Sequence, residues 1–244
     1  NARRGMVMLV TTATDKIKLV IVEDESLYRD LLRVALSQHP NFHVVGAYGD
    51  GVAALEAMRH LDTDVAILDI DLRSALNGVQ LGLLLRQRWP TLGIVLLSNH
   101  GDPQFLSSLP SEVLTGWSYL LKKSVSDVHA LQRAIEGATV GLVVLDPQLA
   151  GSMRPRPGGA LSRLTPRQQE ILALIAQGFS NAAIAEQLTL AEKSVENQIN
   201  LLYQQLGIDR GRNALHPRVK AVLTYLQESR FSVPEATPAR PVHV

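Results

Sequence analysis

Along the first part of the chain apolar residues come in short unbroken blocks; further on they come at helical spacing. Between residues 16 and 145 the blocks are 19–22, 42–45, 65–68, 94–97 and 119–121. An apolar block bounded by charge, as 65–68 is, predicts a parallel strand buried on both faces. Amphipathic stretches separate the blocks. Leu27, Leu31, Val34 and Ala35 fall at i, i+4, i+7 and i+8, one face of a helix. Ser126 is placed to cap another helix, with Val128, Leu131 and Ile135 following at helical spacing. Strands alternating with helices imply right-handed βαβ units. Over 16–145 they fit a flavodoxin-like α/β domain with a five-stranded parallel sheet, in which the ends of strands one and three are neighbours.

After Asp146 the composition shifts. Gly151 to Gly159 is rich in Pro, Gly and Arg with almost nothing to bury, and 146–160 reads as a linker. From 161 to 230 the spacing is helical. Thr165, Pro166 and Gln168 supply an N-cap, a first-turn proline and a capping box. Ile171, Leu172, Leu174 and Ile175 form the apolar face, and Gly178 ends the helix. Ser180 caps a second helix through Leu188. A third starts near Glu192 and carries Val195, Ile199, Leu202 and Leu206. The short connection 189–191 makes this pair a helix-turn-helix in an all-α domain, whose second helix can enter the DNA major groove. Pro217 opens a fourth helix with Val219, Val222, Leu223 and Leu226 on one side. Periodicity alone fits a plain helical bundle equally well. Residues 231–244 are expected to form a disordered tail.

Composition narrows the class. The 244 residues, 46% hydrophobic and 19% charged, fit a soluble chain with one large or two modest domains. No apolar run reaches the roughly 18 residues of a membrane span, and no secretory pattern precedes the first domain. A cytoplasmic protein without a membrane partner is expected. The absence of Cys excludes disulfide frameworks, thiolate metal sites and Cys nucleophiles. The net charge of +1 hides an asymmetry: residues 1–150 hold 13 Lys/Arg against 16 Asp/Glu, and residues 151–230 hold 10 against 6. The basic balance belongs to the helical part, which points to nucleic acid as its partner.

The chemistry sits where the apolar blocks end. Asp69 follows 65–68, with Asp71 two residues on, and Glu23-Asp24-Glu25 follows 19–22. Ligands bind at that edge of an open α/β sheet. Carboxylates gathered there are costly unless a cation compensates them, and Mg²⁺ favours such oxygen ligands. Ser98 ends the fourth block and Lys122 follows the fifth. A carboxylate nucleophile, a cation, a hydroxyl and an amine are the parts needed to move a phosphoryl group onto Asp. Taken singly, each is more often a helix cap or an ordinary surface residue.

Residues 18–135 resemble the receiver domain of two-component response regulators. Glu23-Asp24 matches that family's acidic pair, Asp69 its phosphoacceptor, Ser98 its Ser/Thr, Lys122 its Lys and Tyr119 its aromatic switch. The resemblance implies that Asp24, Asp69 and the backbone carbonyl of Asp71 hold Mg²⁺, with Glu23 acting through water. It also implies a histidine kinase as phosphodonor. Residues 164–208 resemble the LuxR-type helix-turn-helix of NarL/FixJ-class regulators. The match rests on Leu164-Thr165-Pro166-Arg167, Gly178, Ser180-Asn181, Ile184-Ala185, Lys193-Ser194-Val195-Glu196-Asn197 and Leu206-Gly207-Ile208. Together they imply a non-enzymatic, phosphorylation-controlled transcription regulator that binds double-stranded DNA. A module so mildly basic binds weakly as a single copy, so a homodimer is expected in the active state.

The chain departs from these patterns in several places. No Pro follows Asp71, and Leu114-Thr115-Gly116-Trp117-Ser118 replaces a run of small residues. Ala191 cannot cap the recognition helix, and Glu196 and Gln198 stand where a basic residue and His are common. Lys193, Ser194, Asn197, Gln198 and Asn200 remain as DNA-facing groups. Two rival functions are a haloacid dehalogenase-like phosphatase built on Asp69-x-Asp71 and a receiver-like scaffold that is never phosphorylated. Against the first, Asp69 ends the third block rather than the first and Arg73 follows the second Asp at the motif's Thr/Val position.

Overall fold

The computed structural model describes residues 16–101, 109–126, 128–209 and 215–231. Five strands lie at the expected blocks: β1 (Ile17–Val22), β2 (Phe42–Tyr48), β3 (Val65–Asp69), β4 (Gly93–Ser98) and β5 (Trp117–Leu121). Between and after them run α1 (Ser26–Ser37), α2 (Gly51–Ala57), α3 (Gly78–Arg88), the short α4 (Ser111–Leu114) and α5 (Val128–Thr139). All sheet pairings here are parallel, in the order β2-β1-β3-β4-β5. Alternate side chains face opposite layers. Leu19, Ile21, Val65 and Ile67 pack under α1 and α5, while Val20, Val22, Ala66 and Leu68 face the α2–α3 side. Such two-sided burial is why these blocks are apolar throughout.

Three expectations are corrected. The sheet has a sixth strand, β6 (Val144–Leu145), paired in parallel with Ser118 and Tyr119 of β5. Two residues leave too little pattern to read. The predicted linker 146–160 is ordered: α6 (Pro147–Ser152) is capped by Asp146, and β7 (Met153–Pro155) pairs antiparallel with β8 (Ser229–Phe231). Leu149, Ala150 and Met153 are buried there, isolated apolar residues among the Pro and Gly that dominate the composition. Asp146, itself buried, also accepts a hydrogen bond from the Leu121 amide. Finally, α1 turns Leu32 and Leu36 to the core and leaves Leu27, Leu31 and Val34 exposed. The spacing identified the helix but not which of its two apolar faces is covered.

Ser126 closes a 3₁₀ turn ahead of α5, and the cap expected from its side chain lies outside the described residues. So does the predicted tail from 232 onward; Phe231 belongs to β8.

The second domain is helical: α7 (Pro166–Ala176), α8 (Asn181–Leu188), α9 (Glu192–Gln205) and α10 (Pro217–Glu228). The Thr165–Gln168 capping box and the Ser180 cap form as expected. Thr189, with φ of 54°, turns the chain between α8 and α9. One apolar core runs from the sheet through Leu145, Leu149, Met153 and Leu161 into Ile171, Val195, Leu202 and Leu226. A second link is polar. Arg133 of α5 donates to the Gln177 carbonyl at 3.1 Å, and its guanidinium lies 4.1 Å from the Phe179 ring centroid. Among the described residues, no helix is long and apolar enough to cross a membrane.

Candidate functional site

Strands β1 and β3 are in register at Val22↔Leu68, so Glu23 and Asp69 leave the sheet side by side. Glu23, Asp24 and Asp69 each place a carboxylate oxygen within 4.8 Å of the other two. Glu23 and Asp69 are buried. Lys122, just past β5, reaches back across the sheet edge. Its Nζ lies 3.1 Å from Asp69 Oδ2 and 2.8 Å from Glu23 Oε2, and donates to Glu23 Oε1 at 3.0 Å. Glu23 Oε2 is buried and receives no well-directed hydrogen bond. It is an oxygen with accepting capacity to spare, in an all-oxygen donor set, which fits a hard cation such as Mg²⁺.

The electrostatics follow from burial. Desolvation raises the pKa of Glu23, the neighbouring Asp69 charge adds to the rise, and Lys122 opposes it. Burial alone would lower the pKa of Lys122, but hydrogen bonds to Glu23 and Asp69 outweigh it and the net direction is upward. One ammonium thus holds together carboxylates that would otherwise repel each other.

The remaining predicted groups sit on the same edge. Ser98 Oγ donates to the His100 carbonyl at 2.9 Å and accepts from the His100 amide at 3.0 Å. Tyr119, buried, donates its hydroxyl to that same carbonyl at 2.6 Å. The hydroxyl and the aromatic therefore share one acceptor, and a change at either is felt by the other. The Asp71 amide donates to Asp69 Oδ1 at 3.1 Å, while the Asp71 carboxylate lies 3.7 Å from His100 Nδ1. Asp24 is approached by the exposed Arg73 at 3.5 Å.

Several contributors escape sequence reading. Gly78 opens α3 against the end of β3, where a Cβ would meet the Asp69 carbonyl oxygen at 2.1 Å. Its signal is modest: a glycine at a helix start, after the Asn77 cap. Tyr28 of α1 lays its ring 4.9 Å from Lys122 Nζ, and His100 collects both hydroxyls. Neither has a clear signal, because Tyr28 meets Lys122 across 94 residues and Tyr119 meets His100 across 19.

The second predicted surface is α9. Val195, Ile199 and Leu202 face the core; Lys193, Ser194, Asn197 and Asn200 are exposed and Gln198 is half-buried. Ala191 makes no side-chain cap, as its lack of an acceptor requires. Lys193 and Glu196 form an ion pair at 2.8 Å. The described residues thus contain both predicted sites, one enclosed and one open.

Comparison with known proteins finds a family for each of the two domains. The receiver-domain family "Response regulator receiver domain" matches residues 19–122, and "Bacterial regulatory proteins, luxR family" matches 162–216. The probable transcriptional regulatory protein NarL of Mycobacterium tuberculosis is 32% identical over 196 residues, which is 80% of this chain and 89% of the relative. The nitrate/nitrite response regulator NarP of Escherichia coli is 31% identical over 216 residues, covering 86% and 95%. The transcriptional regulatory protein DegU of Brevibacillus brevis is 28% identical over 227 residues, covering 84% and 94%. A solved structure of two RcsB dimers bound to two parallel DNAs shares the fold, with a TM-score of 0.50 and 23% identity over 88% of this chain and 99% of that one.

Proposed function

Because this chain belongs to the response regulators that join a receiver domain to a LuxR-type DNA-binding domain, we propose that Asp69 is its phosphoacceptor and that phosphorylation there controls DNA binding by α9. The observation that carries this reading is the meeting of Asp69 with Glu23 and Asp24 within 4.8 Å, and with Lys122 Nζ at 3.1 Å. A carboxylate oxygen of Asp69 attacks phosphorus; the bond from phosphorus to the donor's leaving atom breaks, and its electron pair departs with the leaving group. Lys122 neutralises charge on the transferred oxygens. Ser98 gives up its bond to the His100 carbonyl and donates to one of them. Asp24, Asp69 and the Asp71 carbonyl would hold Mg²⁺, with Glu23 acting through water. Bound there, the ion would supply neutralisation of the charge on the transferred group. A histidine kinase is the donor that the receiver domain implies.

In the second domain Lys193, Ser194, Asn197, Gln198 and Asn200 face double-stranded DNA. The activated protein acts as a homodimer, which doubles the contacts of a weakly basic module. The test is labelling by acetyl phosphate with Mg²⁺, in the full chain. The parent takes up one phosphoryl group and Asp69→Asn takes up none. Undiminished labelling of that variant would overturn the assignment.

A further inference from the structure

Lys122 is held from two sides. The carboxylates of Glu23 and Asp69 draw its ammonium toward the sheet edge, and from α1 the ring of Tyr28 lies 4.9 Å away. The Tyr28 hydroxyl also donates to the backbone carbonyl of Lys122 across a long 3.4 Å. The face of an aromatic ring attracts a cation through its quadrupole, more strongly when water is excluded, and Lys122 is largely buried. We propose that Tyr28 is a positioning residue for phosphoryl transfer, a shelf that keeps the Lys122 ammonium over Asp69; this rests on Asp69 being the phosphoacceptor. The two attractions differ in kind. Carboxylate hydrogen bonds are directional and must be exchanged when Lys122 turns to phosphoryl oxygens. Attraction to a ring face is broad and survives that turn. Burial and the nearby charges of Glu23 and Asp69 also hold the phenol protonated, so the ring stays neutral beneath the cation.

The test separates a cation shelf from mere filling. In the full chain, Tyr28→Phe and Tyr28→Trp keep an aromatic face, while Tyr28→Leu and Tyr28→Met keep only apolar bulk. At saturating acetyl phosphate the aromatic variants label at close to the parent rate. The aliphatic variants fall roughly tenfold, about 1.4 kcal/mol, within the range of a desolvated cation–π contact. Should Tyr28→Leu not fold, Tyr28→Met carries the comparison. A second readout needs no transfer: reductive methylation of Lys122 in protein without Mg²⁺, followed by mass spectrometry. It is faster in the aliphatic variants than in Tyr28→Phe. Equal rates for Phe and Leu in both experiments would overturn the proposal. If the parent does not label at all, the phosphoacceptor reading fails, and the methylation rates alone still decide whether Tyr28 positions Lys122.

Discussion

Two Lys–Glu pairs in this protein have the same length and opposite meaning. Lys122–Glu23 at the sheet edge and Lys193–Glu196 on α9 are each 2.8 Å apart. In the first the side chains are 9% and 1% exposed; in the second they are 78% and 41% exposed. Water screens the second pair and leaves it little influence on folding. The first is enclosed with Asp69, so removing its cation strands buried negative charge. Distance does not say what an ion pair does; its surroundings do. The enclosed pair sets the charge state of the acidic pocket, and the open pair sets how much positive charge the surface of α9 offers.

The comparison breaks most visibly at Lys122. Lys122→Met leaves Glu23 and Asp69 without their ammonium. Glu23 already has a folded pKa above its ordinary 4.5 because burial disfavours the charge. Stability tied to that group is therefore fully present below pH 4.5 and lost as the pH rises through the folded value. Lys122 counteracts the rise, so without it the loss deepens and extends to higher pH. Urea unfolding without Mg²⁺ should show Lys122→Met weaker than the parent by up to about 3 kcal/mol at pH 8, with the gap closing toward pH 5. A gap that is the same at both pH values would mean that Lys122 is not compensating buried carboxylates. Lys193→Ala should show no such gap.

A smaller effect is expected at Asp24, whose carboxylate is useful in the pocket only alongside a cation. Asp24→Ala should weaken Mg²⁺ binding at least roughly tenfold, read by titration calorimetry, since a hard cation loses one of few charged ligands. It should leave the fold intact and make the metal-free domain no less stable, because one member of a repelling cluster is gone. Unchanged Mg²⁺ affinity would remove Asp24 from the ligand set.

These contrasts also explain what could be read in the sequence. The pocket was legible because strand ends are legible: four apolar blocks end in Glu23-Asp24, Asp69, Ser98 and Lys122, and parallel topology gathers such ends. The exposed side of α9 was legible as a face, since Val195, Ile199 and Leu202 fix which side of the helix is buried. Contacts between distant elements were not. Tyr28 beneath Lys122 and the shared His100 carbonyl depend on how helices and loops lie across the sheet. Helix α1 is apolar on two sides, and spacing alone does not say that Leu32 and Leu36 are covered while Leu27 and Leu31 are exposed. The stretch 146–160 reads as linker because Leu149, Ala150 and Met153 show no period, although together they carry the core from one domain to the other.

The mildest perturbation is at the open pair, and it sharpens the contrast most. Glu196 holds Lys193 at 2.8 Å, which occupies the one basic side chain in the first turn of α9. A helix N-terminus already favours phosphate, so freeing Lys193 should direct it there. Glu196→Lys both frees it and adds a second positive charge one turn on. Binding to specific and random duplexes should tighten alike, and each added phosphate contact should steepen the log–log salt slope by roughly 0.9. Lys193→Ala should act in the opposite direction. Asn197→Ala and Gln198→Ala should instead lose preference for the specific duplex, by roughly 1–3 kcal/mol for each amide that is bidentate to adenine. None of the four should move the melting temperature, because every one of these side chains reaches water in the folded protein. Titration of both duplexes across a salt series, with thermal melts of the same samples, reads all of this at once. If the four variants bind DNA as the parent does, α9 does not face DNA. If they bind differently but also melt differently, the open pair is structural after all, and the distinction from Lys122–Glu23 fails.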